Sequence, residues 1–498
     1  MSPSQAVQIA LLLPLVGALL VLLCARRPNL REGCSLLVAG ATFAVVLRLL
    51  PEVLAGRHPS FNLVQVFPEI WLGFRLEPLG MLFTLVASGL WILTTVYSIG
   101  YMRGHHESNQ TRFYACFAVA IFAALGVAFA RNLVTLFVFY ELLTFSTYPL
   151  VTHSQSAEAR RSGRIYLGIL VGTSVAFLLL AVIWTWELAG TVEFRPGGIL
   201  SGRVEGYAAS ALLLLFVFGV GKTALMPFHR WLPAAMVAPT PVSALLHAVA
   251  VVKAGVFTVM KIAVYVFGTD FLAGVDASRW LCWAAAFTIL CASMVAFTKD
   301  NLKARLAYST VSQLAYIVLG AMLASDLGVI GGSMHIAMHA VGKITLFFCA
   351  GAIMVASHET EISAMNGLGR RMPFTFAAFT LGALSVIGLP PTGGAWSKWY
   401  LALGALESDQ ILMLAVLMIS SLLNVAYLLP IPARAFFLAP KASAQAAHVP
   451  HHEDGLREAP LLCVVPLCLT ALGCVALFFL AGGIETLLAP LVGAGGAR

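Results

Sequence analysis

The sequence predicts an all-α integral membrane protein of about fourteen transmembrane helices, with two inverted five-helix repeats and two broken helices. Three observations lead there. Hydrophobic residues make up 60% of the chain and charged residues only 10%, whereas a soluble protein carries about a quarter charged residues. Apolar runs of roughly 20 residues, the length that crosses about 30 Å of hydrocarbon, recur from one end to the other. The Lys and Arg residues between those runs gather in alternate loops, the asymmetry that orients helices in a bilayer.

The runs fall at approximately 6–24, 33–53, 77–99, 113–130, 132–152, 163–188, 207–227, 241–266, 277–297, 302–323, 328–354, 373–403, 409–436 and 461–482. No stretch between them is long enough for a soluble domain. Seventeen loop Lys and Arg residues fall on one side, in clusters such as Arg26, Arg27 and Arg31, and including Lys441. The other side holds six, Arg57, Arg75, Arg131, Arg195, Arg203 and Arg279, with Arg498 in the tail. A miscounted helix would scramble this bias from that point on, so the count predicts fourteen spans with both termini outside. The first span is expected to stay in the protein rather than act as a signal peptide, because Arg26 and Arg27 follow it and no positive charge precedes it. Four units are expected: residues 1–112 with the first three helices, 113–268 and 269–440 as the two repeats, and 441–498 with a loop and the last helix.

A formal net charge of +8 raises nucleic acid as a partner, but the basic residues are scattered through short loops rather than forming one stripe, so none is expected. Nine cysteines include no C-x-x-C and no metal-spaced histidines, so neither a zinc site nor an iron–sulfur cluster is signalled. Arg outnumbers Lys 22 to 8 and Ala and Gly abound, which points to a GC-rich prokaryotic genome and hence to a prokaryotic cell membrane.

Beyond the loop residues so counted, six basic residues remain and fall inside the spans: Arg48, Lys222, Lys253, Lys261, Lys343 and Lys398. Arg48 and Lys261 lie near helix ends, where a long side chain snorkels to the interface. The other four are deeper, as is one acid, Glu141 in FVFYELLTFS. A central Lys or Asp costs about 2.5–3.5 kcal/mol on insertion scales, so such a group is normally functional or paired within the protein. A buried lysine suits proton relay, because desolvation favours its neutral form and a movable carboxylate restores the charged one. Glu141 and Lys222 have the chemistry for such a pair; a buried ion pair that only fixes packing is the plainer alternative.

Two segments combine an intramembrane lysine with helix breakers, FGVGKTALMPFHRWLP around Lys222 and SVIGLPPTGGAWSKWY around Lys398. Gly and Pro free backbone carbonyls, which transporters tolerate where the chain lines a polar cavity. Two broken helices five spans apart are the expected trace of an inverted repeat. GVGKT is not a phosphate-binding loop, since Phe216 stands where its first Gly belongs. In the eleventh span His335, His339 and Lys343 follow at intervals of four and share one helical face. Imidazoles titrate near neutrality, so this stripe is a candidate relay, with a metal site and a plain interhelical hydrogen bond as rivals. The eighth span opens with Thr240 as N-cap and Pro241 as first helical residue, then carries His247 and Lys253 on different faces about 9 Å apart along the axis.

At these residues the sequence resembles the antiporter-like membrane subunits shared by respiratory complex I, energy-converting membrane-bound hydrogenases and Mrp-type multisubunit cation/proton antiporters. The resemblance runs over roughly residues 75–440 and is carried, in fixed order, by FVFYELLTFSTYPL, GKTALMPFHRWLPAAMVAPTPVSALLHAVAVVKAG, RLAYSTVSQLAYIVLG, HIAMHAVGKITLFFCAGAI and IGLPPTGGAWSKWYLALG. It implies fourteen helices, inverted repeats and a proton path through the membrane midplane. Glu141 matches the family's fifth-helix glutamate and Lys222 its seventh-helix lysine. His247 and Lys253 match the eighth-helix relay, Lys398 the terminal lysine of the broken twelfth helix, and His335, His339 and Lys343 the polar stripe before it. The middle antiporter-like subunits of complex I have glutamate where this chain has Lys398, which argues against that subtype. Closer in pattern are the hydrogenase-associated subunits and the D-type subunit of Mrp.

The expectation is therefore a proton-translocating subunit of a larger membrane complex, surrounded by lipid and other membrane subunits. No flavin, quinone, haem or cluster motif is visible, so no cofactor is expected and any redox centre belongs to partner chains. Protons are the expected cargo, with Na+ or K+ as the alternative if the parent is an Mrp-type antiporter. A third reading, a scaffold that conducts nothing, has the intramembrane charges against it.

Overall fold

The computed structural model describes residues 1–439 and 455–492. Lys441 and Arg498, and with them part of the 441–498 unit, lie outside the described residues. Among the described residues helices dominate, and eleven of them are long and apolar enough to cross a membrane: α1 (Pro3–Leu23), α2 (Pro28–Leu54), α3 (Pro78–Gly104), α4 (Gln110–Phe129), α5 (Leu133–Val151), α6 (Ala157–Ala189), α8 (Thr240–Phe267), α9 (Asp276–Thr298), α11 (Asp326–Ser357), α14 (Ile411–Phe437) and α15 (Leu461–Phe479). Between them lie α7 (Gly206–Gly219), α10 (Leu302–Met322), α12 (Pro373–Ile387) and α13 (Gly394–Glu407). The chain is thus a multi-pass helical membrane protein.

Local chemistry sets many of the starts. The N–H of Thr135 donates to Asn132 Oδ1 at 2.8 Å at the head of α5, and that of Ala304 to Asn301 Oδ1 at 3.1 Å at the head of α10. Such caps satisfy the donors that a first turn leaves free. At α8 the expected cap is different: Thr240 is already helical, Pro239 takes the capping position, and the Thr240 hydroxyl makes no hydrogen bond. Pro239 itself supplies the extended backbone before the first helical residue, with ψ at 150°, and Pro241 fits the first turn, where an N–H would have no partner.

The all-α expectation needs one correction. Residues between α2 and α3 form an antiparallel hairpin, β1 (Ser60–Phe67) and β2 (Ile70–Arg75). The segment SFNLVQVF is rich in β-branched and aromatic residues and too short to span as a helix. The hairpin is anchored at its base, where Gly73 N–H donates to Thr135 Oγ1 at 3.0 Å and Phe74 packs edge-on to Phe139.

Burial sorts the helices into a periphery and a centre. Only a third of the apolar stretch of α2 is covered by protein, whereas that of α8 is completely buried. α11 packs against α8, α10, α12, α13 and α15 and is the axis of the second half. α10 is the more polar neighbour, with Ser309, Thr310, Ser312 and Gln313 in its middle, all buried. A helix enclosed by others needs no lipid-compatible surface, so its polar side chains can face the interior.

Candidate functional site

The seventh predicted span stops early as a helix. α7 ends at Gly219, and Lys222 stands on a single 3₁₀ turn, Gly221–Thr223, before the chain continues through Pro227. The turn is held by its neighbours: Lys222 N–H donates to the Tyr140 hydroxyl at 3.2 Å, and Trp231 Nε1 to the carbonyl of Gly221 at 3.0 Å. The fully buried Lys222 ammonium donates to the Tyr140 carbonyl at 2.8 Å and to Thr144 Oγ1 at 2.6 Å, and lies 3.1 Å from the Tyr140 ring centre. Carbonyl, hydroxyl and ring together replace part of its hydration without a contacting anion.

Glu141, the next residue after Tyr140, does not touch Lys222. No ion pair within 4.0 Å joins them, and both Glu141 carboxylate oxygens are buried without a hydrogen bond. The two residues envisaged as a pair are therefore neighbours held apart, with Tyr140 between them.

Lys253, at the middle of α8, donates from its ammonium to His339 Nδ1 on α11 at 2.6 Å. His339 stacks on His335 with ring centres 5.6 Å apart, confirming that they share a face. His335 continues the line: Nδ1 lies 2.8 Å from Ser397 Oγ on α13, and Nε2 lies 3.1 Å from Gln313 Oε1 on α10. Lys398 follows Ser397; its ammonium donates to the Ile387 carbonyl at 2.9 Å and to Ser421 Oγ at 3.2 Å, and lies 4.8 Å from the Tyr316 ring centre. Ile387 is the last residue of α12, so the break exposes carbonyls whose partial negative charge holds a cation.

Lys343 shares the stripe but faces a different set. It donates to Ser309 Oγ at 2.7 Å, and Ser309 accepts from the Tyr427 hydroxyl at 2.9 Å. His247 sits in a π-helical turn, Leu245–Val249, packed 4.6 Å from the Phe347 ring, and neither ring nitrogen is hydrogen-bonded. It makes no hydrogen bond to Lys253. Among the described residues, no carboxylate lies within 4.0 Å of Lys222, Lys253, Lys343 or Lys398. The free polar groups along this line include Glu141, His247, His339 Nε2 and Gln313 Nε2. In a protein such groups are ordinarily satisfied by ordered water.

Sequence reasoning missed several of these partners. Tyr140, Thr144, Ser309, Gln313, Tyr316 and Ser397 carry no charge; Ser309, Gln313 and Tyr316 fall together in STVSQLAY, whose polar crowding is a signal that α10 faces a polar interior, while Tyr140, Thr144 and Ser397 have no such signal. Lys261 departs from its expected place: it does not snorkel but is fully buried, with its ammonium 3.3 Å from Glu77 Oε2. The helix beyond it to Phe267 is itself covered by protein, so the ammonium meets Glu77 rather than open water. Arg48, by contrast, is exposed, as expected. Outside the spans, burial holds the His153 imidazole below its usual range, with Glu107 opposing.

Known proteins share both sequence and shape with this chain. Residues 130–424 match the family model described as NADH:quinone oxidoreductase/Mrp antiporter, TM, and residues 68–114 match the NADH-ubiquinone oxidoreductase (complex I), chain 5 N-terminus. NADH-quinone oxidoreductase subunit N of Desulforudis audaxviator is 34% identical over 456 residues, covering 90% of each chain. A probable K(+)/H(+) antiporter protein of Rhizobium meliloti is 31% identical over 93% of this chain, which spans only 46% of that protein's length. In the structure of the Mrp complex from Dietzia sp. DQ12-45-1b, one chain has the same fold, with a TM-score of 0.85 at 23% identity over 99% of this chain and 97% of that one. With more than half of its residues matched, the chain belongs to the NADH:quinone oxidoreductase/Mrp antiporter family of membrane subunits.

Proposed function

We propose that the chain is a proton-translocating, antiporter-like subunit of a multisubunit complex in the cell membrane of a prokaryote, coupled to redox chemistry in partner subunits. The line of cations and imidazoles from Lys222 through Lys253, His339 and His335, all buried, to the half-buried Lys398 carries this reading. Four ammonium groups held by carbonyls, hydroxyls and an imidazole, without contacting anions, are costly to fold for scaffolding alone. Within this reading the chain crosses the membrane fourteen times, with α7, α10 and the α12–α13 pair completing the count. Residues 113–268 and 269–440 are its inverted repeats, flanked by 1–112 and 441–498. The two helix breaks, one beside the buried Lys222 and one beside the half-buried Lys398, support that arrangement.

Glu141 and Lys222 act as a switchable pair. In the observed arrangement Lys222 is held by Tyr140 and Thr144; a turn of the Glu141 side chain toward it stabilises the ammonium, and withdrawal releases the proton. A shift of three or four pKa units corresponds to about 4–5 kcal/mol, comparable with moving one charge across about 200 mV. The test is to purify the intact complex, reconstitute it, and record proton uptake in Glu141→Gln and Lys222→Ala variants. Loss of pumping in an assembled complex is expected. Wild-type proton stoichiometry in both would remove the pair from the mechanism and favour the scaffold reading.

A second reading, an Mrp-type cation/proton antiporter without redox partners, is favoured by the potassium/proton antiporter relative and the shared fold with an Mrp chain. Purification through a tag on this chain separates the two, since co-purified redox subunits support the first and their replacement by small membrane subunits supports the second.

A further inference from the structure

The buried ion cluster at the far end of α8 takes no part in the relay described above. Lys261 lies eight residues beyond Lys253 on α8, about 12 Å along the axis. Its ammonium donates to the Ala130 carbonyl at 2.6 Å and faces Glu77 Oε2 at 3.3 Å, with the Phe194 ring centre at 4.6 Å. Glu77, 2% exposed at the head of α3, has a second partner: Arg75 Nε and Nη2 both donate to Oε1, at 3.0 and 2.8 Å. Arg75 Nη2 also donates to the Phe194 carbonyl at 2.5 Å, and its side chain is 21% exposed. The cluster therefore runs from a closed interior to the protein surface at the base of the hairpin.

The arrangement is asymmetric in charge. Arg75 saturates one carboxylate oxygen with two N–H groups, while the other oxygen meets Lys261 without a hydrogen bond. Two cations share one anion. If Lys261 loses its proton, Glu77 remains ionised and paired, so no carboxylate is orphaned; a plain two-membered buried bridge lacks this property, because neutralising either partner strands the other. Arg75 cannot take the proton-carrying role, since guanidinium does not deprotonate at accessible pH.

We propose that Lys261 is a further proton-carrying group, the releasing station of the first half, with Glu77 and Arg75 as positioning residues that let it discharge to surface water at the hairpin base. The proposal rests on the translocation reading above. In the step itself the ammonium N–H bond breaks, the proton passes to water beside Arg75, and the neutral amine keeps the Ala130 carbonyl as acceptor. A proton arriving from Lys253 through intervening water restores the ammonium. The titratable or charged groups facing Lys261 are Glu77, Arg75 and Tyr265.

The test uses the native complex in proteoliposomes, with proton movement measured against pH. Lys261→Arg keeps the charge and removes the release step, so transport should fall about tenfold or more while assembly is retained. Arg75→Gln leaves Lys261 as the single partner of Glu77, holds its proton more firmly, and should move the transport profile about one pH unit to the alkaline side. Should Lys261→Arg fail to assemble, the Arg75→Gln profile decides, since a purely structural clasp would lower yield or thermal stability and leave the profile in place. Wild-type rates in assembled Lys261→Arg, or an unshifted profile in Arg75→Gln, would overturn the proposal. A wild-type complex that moves no protons would instead overturn the translocation reading on which it rests.

Discussion

Lys398 illustrates what a single side chain gains from its surroundings. The Ile387 carbonyl, Ser421 hydroxyl and Tyr316 ring stabilise its ammonium, and none of them is an anion that would trap the charge. Such a group can hold a proton and still release it, which makes it suited to the releasing end of the second half. Arginine there would keep the cation and its attraction to the end of α12 but could not deprotonate. Lys398→Arg should therefore assemble normally and transport protons about tenfold or more slowly in the reconstituted complex; an unimpaired rate would make Lys398 a fixed charge. The relay lysines were legible in the sequence because each is a conspicuous cost in an apolar run. Their uncharged partners were not, since a Ser or Tyr in a membrane helix is common and its direction depends on packing. The cluster at Lys261 was hidden for a related reason: Glu77 is 184 residues away and at the very edge of its predicted span.

At the scale of elements, Gly and Pro marked both helix breaks correctly, and the exact ends followed from contacts that no single segment contains. The turn that carries Lys222 is pressed against α8 at Gly255. A Cβ there would come 2.6 Å from the Lys222 carbonyl carbon and 2.8 Å from Thr223 N, backbone atoms that cannot yield as a flexible side chain would. Gly255→Ala should lower stability by about 1–3 kcal/mol and displace the lysine turn. Thermal unfolding of the detergent-purified chain measures this, with Gly168→Ala as control, because nothing lies within 4 Å of a Cβ at that position. Equal behaviour of the two variants would mean the α8 contact does not hold the turn. The hairpin escaped the sequence reading for a different reason: its strands sit between apolar spans, where a short β-rich stretch resembles an ordinary loop.

For the whole molecule, charge asymmetry and hydropathy gave the multi-pass architecture, while the sequence alone left open how the helices surround α8 and α11. The proposed orientation, with termini outside, has a direct check. Arg164→Cys and Arg203→Cys should be labelled from opposite faces of sealed vesicles by a membrane-impermeant thiol reagent; labelling of both from one face would refute it. Depth then acquires an electrical meaning. Lys253 lies near the midpoint of the 28-residue α8 and His339 near that of the 32-residue α11, and they meet at 2.6 Å. In the proposed relay, a proton handed between them moves sideways, at nearly constant depth, and so crosses almost none of the voltage drop. The work of about 2.3 kcal/mol per charge per 100 mV is confined to uptake and release on either side. The proposed relay thus has an electrically silent central hand-over, and in it the membrane potential acts as a brake on the two half-channels alone.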